Sequence, residues 1–152
     1  MLKGLLAAIW QRAPKKVRRW TMRLTNTRFA VTAAGVVVDD RGHVLLLKHA
    51  FRPGSGWGLP GGFINAGEQV ENGLARELRE EVGLQLQSAR LLTTRVFKQP
   101  TQIEIVFLCR ASGQARPLSM EISKLEWFAP NNLPESLPQD QKELIRRALT
   151  EL

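Results

Sequence analysis

The stretch Gly62 to Leu84, GFINAGEQVENGLARELREEVGL, limits what this chain can fold into more than any other part of it. Leu74, Leu78 and Val82 recur at i, i+4 and i+8 with Ala75 beside them, so the second half is a helix with one side committed to a core. Such a helix must be received by other elements, and Gly83 is placed to end it. The first half, punctuated by glycine, is a loop. Glu77 and Glu81 sit one turn apart, with Glu80 three residues from Glu77, so three carboxylates project from a neighbouring arc of the helix. Like charges this close cost a few tenths of a kcal/mol per pair on an exposed helix. A divalent cation would reverse that cost.

Hard cations such as Mg²⁺ take oxygen ligands, keep several waters and are shared with substrate phosphates, which a carboxylate cluster beside a glycine-rich loop permits. Diphosphate chemistry is the natural use: the metal neutralises the diphosphate and lowers the pKa of a bound water that attacks phosphorus. A Glu-Glu pair alone in a helix is usually a solvated face. Here seven residues, Gly62, Glu68, Arg76, Glu77, Glu80, Glu81 and Gly83, stand at the spacing G-x5-E-x7-R-E-x-x-E-E-x-G. With each fixed residue type at about 5 to 7% usage, that match arises by chance roughly once in 10⁸ to 10⁹ starts.

On these residues the stretch resembles an intact Nudix box, the signature of the Nudix hydrolases. The resemblance covers 62–84 residue by residue and, more loosely, the order of strands and helices from 29 to 150. It implies an α/β chain folded as a Nudix-type α/β/α sandwich, with a mixed β-sheet between helices. It also implies a pyrophosphohydrolase that cleaves the diphosphate linkage of a nucleoside diphosphate derivative by water attack at phosphorus, with Mg²⁺ or Mn²⁺ as cofactor. By the same resemblance Glu77, Glu80 and Glu81 are catalytic metal ligands and the carbonyl of Gly61 is a further ligand. Glu68 and Arg76 would pair to tie loop to helix, and Gly62 and Gly83 would serve the backbone of the box. One more carboxylate is expected from outside it. Glu121, six residues before Trp127 in a segment resembling the family's E-x5-W-F/V pattern, is preferred; Glu104, in the QIEIVF run, is second.

Lys48 and Arg52 precede Trp57, where cations can meet a diphosphate, and Arg79 in the variable slot of the box is a further substrate contact. His49 beside them reads as a satisfied or solvent-facing histidine. Phe51, Trp57 and Phe97 are the aromatic candidates for stacking on a base, against the commoner role in a core.

The rest of the chain supplies what receives the box helix. Phe29 to Val38 is β-prone and apolar, and His43 to Lys48 follows after Asp39-Asp40-Arg41-Gly42, which reads as a hairpin with a short turn. Arg52 to Gly56 is a loop leading into Trp57 and Leu59, and the backbone bends tightly at Pro60-Gly61-Gly62. Beyond the box, Gln85 to Phe97 is a strand with one or two breaks, Gln102 to Arg110 a clearer alternating strand, and Glu121 to Phe128 another. Asp140 to Leu152 is an amphipathic helix with Leu144, Ile145, Ala148, Leu149 and Leu152 on one side. Asp140 and Glu143 have capping-box spacing at its start.

Charge divides the chain. The net charge is +8, yet eight Lys and Arg precede the first acidic residue, Asp39, and the remainder balances at 14 basic to 14 acidic. Residues 1–27 therefore read as a basic amphipathic N-terminal helical arm and 28–152 as the Nudix hydrolase domain. The arm packs on the body with its basic face solvated, or docks to RNA or a membrane surface. Besides a nucleotide-type small-molecule substrate, the expectations thus include a 5′-triphosphate RNA pyrophosphohydrolase and, from another class, a non-catalytic nucleotide-binding regulatory domain. One cysteine, Cys109, excludes an intramolecular disulfide and fits a cytoplasmic protein. A homodimer is an assembly the family resemblance leaves open.

Overall fold

The computed structural model describes residues 14–17, 27–51 and 56–152. Most of the N-terminal arm, and the loop cation Arg52, therefore lie outside the described residues. Within them the order is β1 (Ala30–Val37), β2 (Val44–His49), β3 (Trp57–Gly58), β4 (Gly61–Phe63), α1 (Val70–Val82), β5 (Gln85–Phe97), β6 (Gln102–Ser112), β7 (Ile122–Phe128) and α2 (Gln139–Thr150). Two sheets form. One runs β4-β1-β6-β5 and is mixed, because β1 is parallel to β6 and the other pairings are antiparallel. The other, β3-β2-β7, is antiparallel throughout.

Alternation along β1 and β2 turns these sheets into the middle layer of a sandwich. Ala34, Val36, Val44 and Leu46 point to one side, where Leu144, Ile145 and Ala148 of α2 cover them. Ala33, Val37, Leu45 and Leu47 point to the other, against Leu74, Leu78 and Val82 of α1. The helix spacing read from the sequence is thus the spacing of a core-facing stripe, and the expected α/β/α sandwich is the fold. Glycine ends α1 in the left-handed conformation: Gly83 has φ 73°, its N–H donates to the Arg79 carbonyl, and the next N–H, of Leu84, donates to Leu78. The long β5 strand carries register shifts between Leu86 and Ser88 and between Leu91 and Thr93, which are the breaks expected along it.

Two local expectations are corrected. The segments 29–38 and 43–48 do not form a hairpin ladder; they meet only at a Val38–Val44 bridge and then part into different sheets. Both edges of β1 are taken, by β4 and by a continuous eight-residue parallel pairing with β6, so β2 finds its partners in β3 and β7. The turn itself forms, with Asp39 Oδ1 accepting the N–H groups of Arg41 and His43. At α2 the capping box is not made. Pro138 occupies the N-cap position without a side-chain cap, and Asp140 is drawn instead to Arg95 on β5. Leu152, expected on the buried side, lies beyond the helix and is exposed.

Cys109 is a buried free thiol on β6, and burial pushes its pKa up to about 12. Among the described residues no helix is long and apolar enough to cross a membrane.

Candidate active site

A cleft of about 450 Å³ opens where β4, the exposed end of β1 and the α1 helix meet. Three segments deliver carboxylates to it. From α1 come Glu77 and Glu81, from β6 Glu104, and from the residue before β7 Glu121. The last has a visible support. The loop from Gly113 to Glu121 is held to the C-terminal end of α1, where Arg116 N–H donates to the Val82 carbonyl and Leu118 N–H to that of Glu81. At its far end the Glu121 carbonyl accepts the Ala50 N–H at 2.8 Å. Helix carbonyls that would otherwise lack partners therefore anchor the segment that carries Glu121.

Glycine makes the close approach between β4 and α1. An added Cβ at Gly62 would stand 2.4 Å from Cδ of Glu77, so only glycine leaves room for that carboxylate against the strand. Gly61 has φ +144°, and its Cβ would fall 2.1 Å from the Ala33 carbonyl oxygen. Its N–H donates to Glu81 Oε2 at 3.2 Å, so the strand also orients the second box carboxylate, which is only 7% exposed.

Arg76 is the hub of the box. Its Nε and Nη2 donate to Glu68 Oε1 and Oε2, both at 3.1 Å, Nη2 also to the Phe63 carbonyl at 2.9 Å, and Nη1 to Glu77 Oε1 at 2.7 Å. Glu68 in turn accepts the Asn65 N–H, so one guanidinium ties the loop, β4 and the helix together. Hydrogen bonding to Arg76, then to the Asn65 backbone, lowers the Glu68 pKa, while the bonds to Glu68 and then Glu77 raise that of Arg76. An Arg76→Lys variant keeps the charge and loses the planar fork. Its activity is expected to fall by about 10- to 100-fold. Its thermal midpoint should fall as well, and steady-state kinetics alongside a melting curve check both; an unchanged rate would remove Arg76 from the positioning of Glu77.

Glu80 lies outside the cleft lining, with a side chain 55% exposed and 3.4 Å from Arg76 Nη1. Lys48 and Arg79 are also exposed and outside the lining, and Arg52 is not described. His49 does line the cleft. Of the three aromatic candidates, Trp57 packs edge-on against Phe128 in the α2-side core, Phe97 lies under the Arg95 guanidinium, and Phe51 is exposed. The aromatic that lines the cleft is Phe63. Sequence reasoning also missed Thr32, Gln102, Arg95 and Gln141, which reach the cleft through strand register and helix docking and carry no local motif.

Arg95 on β5 donates through Nε and Nη2 to Glu104 and through Nη1 to Asp140. Burial opposes its charge, but the bonds and attraction to Glu104, then to Asp140, outweigh that and hold its pKa above the ordinary arginine value.

Among the described residues no group of three His, Cys, Asp or Glu side chains stands ready to hold a metal ion. The side-chain positions give the reason: Arg76 holds Glu77 and approaches Glu80, while Glu81 faces the Gly61 N–H. The carboxylates Glu77, Glu81, Glu104 and Glu121 that line the cleft nonetheless fit a hard cation in kind, being oxygen donors.

The family model of the NUDIX domain matches residues 28–148. The chain belongs to the Nudix hydrolase family. Members of this family are pyrophosphohydrolases that act on nucleotide-type substrates and generally use divalent metal ions. This Nudix hydrolase is 34% identical to a MutT-like protein of Streptomyces ambofaciens, over 72% of the chain and 70% of that protein. It is 34% identical to an ADP-ribose pyrophosphatase of Methanocaldococcus jannaschii, over 77% of the chain and 71% of that protein. A 30% identity to the NAD-capped RNA hydrolase NudC of Vibrio vulnificus covers 76% of the chain but only 44% of that protein's length. Among solved structures, the MutT NUDIX hydrolase of Burkholderia pseudomallei superposes with a TM-score of 0.70 at 30% identity, covering 80% of this Nudix hydrolase and 98% of that chain.

Proposed function

We propose that the chain is a Mg²⁺- or Mn²⁺-dependent pyrophosphohydrolase that cleaves the diphosphate linkage of a nucleoside diphosphate derivative by water attack at phosphorus. The convergence of Glu77, Glu81 and Glu121 on one cleft beside the Gly61-Gly62 strand carries this reading. Glu77, Glu80, Glu81 and the Gly61 carbonyl would hold the metal. When bound, it supplies charge neutralisation of the diphosphate and a lowered pKa for water. The two glycines let the strand pack against β1 and the Glu77 carboxylate, which brings that carboxylate to the backbone at the cleft. Glu121, which lines the same cleft, would take the proton of the attacking water as the new P–O bond forms and the bridging P–O bond breaks. The ADP-ribose pyrophosphatase relative supports a nucleoside diphosphate derivative as the substrate class. The retention of every box glutamate weighs against a non-catalytic nucleotide-binding role, and a single buried free cysteine suits the cytoplasm.

The test is a panel of nucleoside triphosphates, ADP-ribose, dinucleoside polyphosphates, nucleotide sugars, NADH and 5′-triphosphate RNA, each with Mg²⁺ and with Mn²⁺ and with product identification. Release of a nucleoside monophosphate from one class supports the proposal. Failure to cleave any of them with either metal would sink it.

A second reading, action at RNA 5′ ends, is favoured by the basic arm and by the relatives named NAD-capped RNA hydrolases. If the arm binds phosphates, the rate on RNA should fall by about 10-fold or more between 50 and 200 mM salt while that on free nucleotides changes little. Deleting residues 1–25 should abolish that difference and leave small-substrate hydrolysis within a few-fold. Equal salt dependence for both substrates counts against an RNA role.

A further inference from the structure

One row of residues crosses the mixed sheet through all four strands. Phe63 on β4 pairs with Thr32 on β1, Thr32 with Glu104 on β6, and Glu104 with Arg95 on β5. Paired residues share a face. On β1 and β6 the next residues on that face are Ala34 and Val106, which lie in the core under α2. The row therefore continues the α2-covered face just past the first turn of that helix, and all four of its residues line the cleft. Thr32, Glu104 and Arg95 make it polar beside the apolar Ala34 and Val106.

Its charges are already matched. The guanidinium of Arg95 serves two carboxylates, Glu104 and Asp140, which leaves this end of the cleft with an excess of one negative charge. A phosphate would be repelled here. What the row presents is acceptors. Both Arg95 bonds to Glu104 land on the same oxygen, Oε2, so Oε1 remains to accept a further donor, on a side chain only 17% exposed. On the same face of β6, the Gln102 amide nitrogen donates to Thr32 Oγ1 at 2.7 Å, which leaves its amide oxygen as a second acceptor.

Position separates this row from the cutting chemistry. Glu104 lies two strands away from β4, a lateral distance of about 10 Å. Gly61, Gly62 and Glu77 line the same cleft as Glu104, so a diphosphate held at the first three would have its attached nucleoside in that cleft with Glu104. We infer that Glu104, held in place by Arg95, is a specificity-determining residue that accepts a hydrogen bond from an uncharged donor of that nucleoside, either the exocyclic amine of a purine or a ribose hydroxyl. The inference rests on reading the cleft as a site for nucleoside diphosphate derivatives. It sets Glu104 apart from the metal and the attacking water, which fall to the box and Glu121.

Equilibrium binding tests it without metal or turnover. Adenosine and guanosine 5′-monophosphates are titrated calorimetrically into the full chain, each against its 2′-deoxy form and its analogue lacking the exocyclic amine. Loss of one of these donors should weaken binding by about 10-fold or more. Which loss matters tells amine from hydroxyl. Glu104→Gln should erase the preference, and Arg95→Lys, which loosens the hold on Oε2, should reduce it. Equal affinities across the panel for the parent protein overturn the inference whatever the variants do, as does binding no tighter than that of orthophosphate. A preference that survives in Glu104→Gln, with kcat lowered equally for all substrates, also overturns it and moves Glu104 into the chemistry. Absence of hydrolysis with a donor preference intact would instead sink the pyrophosphohydrolase reading and leave the recognition role standing.

Discussion

Glu81→Gln is expected to lower kcat by about a thousandfold, equivalent to about 4 kcal/mol of barrier, while the protein folds as before. The side chain is buried on the same helix as Leu78 and Val82, and its Oε2 accepts the Gly61 N–H. Glutamine matches the shape and still offers an oxygen to that N–H. It does not offer the charge that a divalent cation needs. The expected signature is a circular-dichroism spectrum and melting midpoint close to those of the parent, with turnover lost at any Mg²⁺ concentration. Glu80→Gln should act differently. Its carboxylate is exposed and held by one long contact to Arg76, so the loss should appear partly as a raised Mg²⁺ requirement and be partly recovered by added metal. A Glu81→Gln protein that turns over at the parent rate would remove the box carboxylates from the reaction.

The adjacent glycines should fail in opposite ways. At Gly61 an alanine meets backbone: the Ala33 carbonyl oxygen at 2.1 Å and the Ala34 Cα at 2.8 Å, in a conformation with φ +144° that L side chains avoid. Neither neighbour can yield without breaking the β1–β4 pairing, so Gly61→Ala should cost about 3 kcal/mol or more of stability and show a clearly lowered melting midpoint. At Gly62 the obstacle is the carboxylate of Glu77, the end of a side chain that can turn away. Gly62→Ala should therefore keep most of the stability and lose most of the activity. Melting and kinetics on the two variants separate these outcomes; a Gly62→Ala enzyme with parent activity would show that Glu77 need not sit against the strand.

Much of this site was readable from residues 62–84, because a loop, a helix stripe and a C-cap are decided by neighbours within a few positions. Leu74, Leu78 and Val82 face the core, and Gly83 caps the helix, for reasons wholly local to them. Of the second wall of the cleft, only Glu104 was singled out by the sequence. Thr32, Arg95, Gln102 and Glu104 come together through the pairing of β1, β5 and β6, and nothing in any one segment specifies that register. The same physics explains the β1–β2 hairpin. Its turn is local and formed, but β1 took β6 along its whole length on one edge and β4 on the other. The missing capping box follows too, since Asp140 found a charged partner on a strand far from it in sequence.

The parallel pairing of β1 with β6 also sets an order of assembly. Ala30 lies against Gln102 and Val37 against Cys109, so the strand that begins the sheet waits for one synthesised long after it. The helix and loop of the box are complete well before that point. A chain halted at Pro100 would contain every residue of the 62–84 motif, yet lack β6, the wall that carries Gln102 and Glu104 and the strand on which β5 pairs. During synthesis the 62–84 motif is therefore complete in a nascent chain that still lacks Gln102, Glu104 and Glu121 of the cleft.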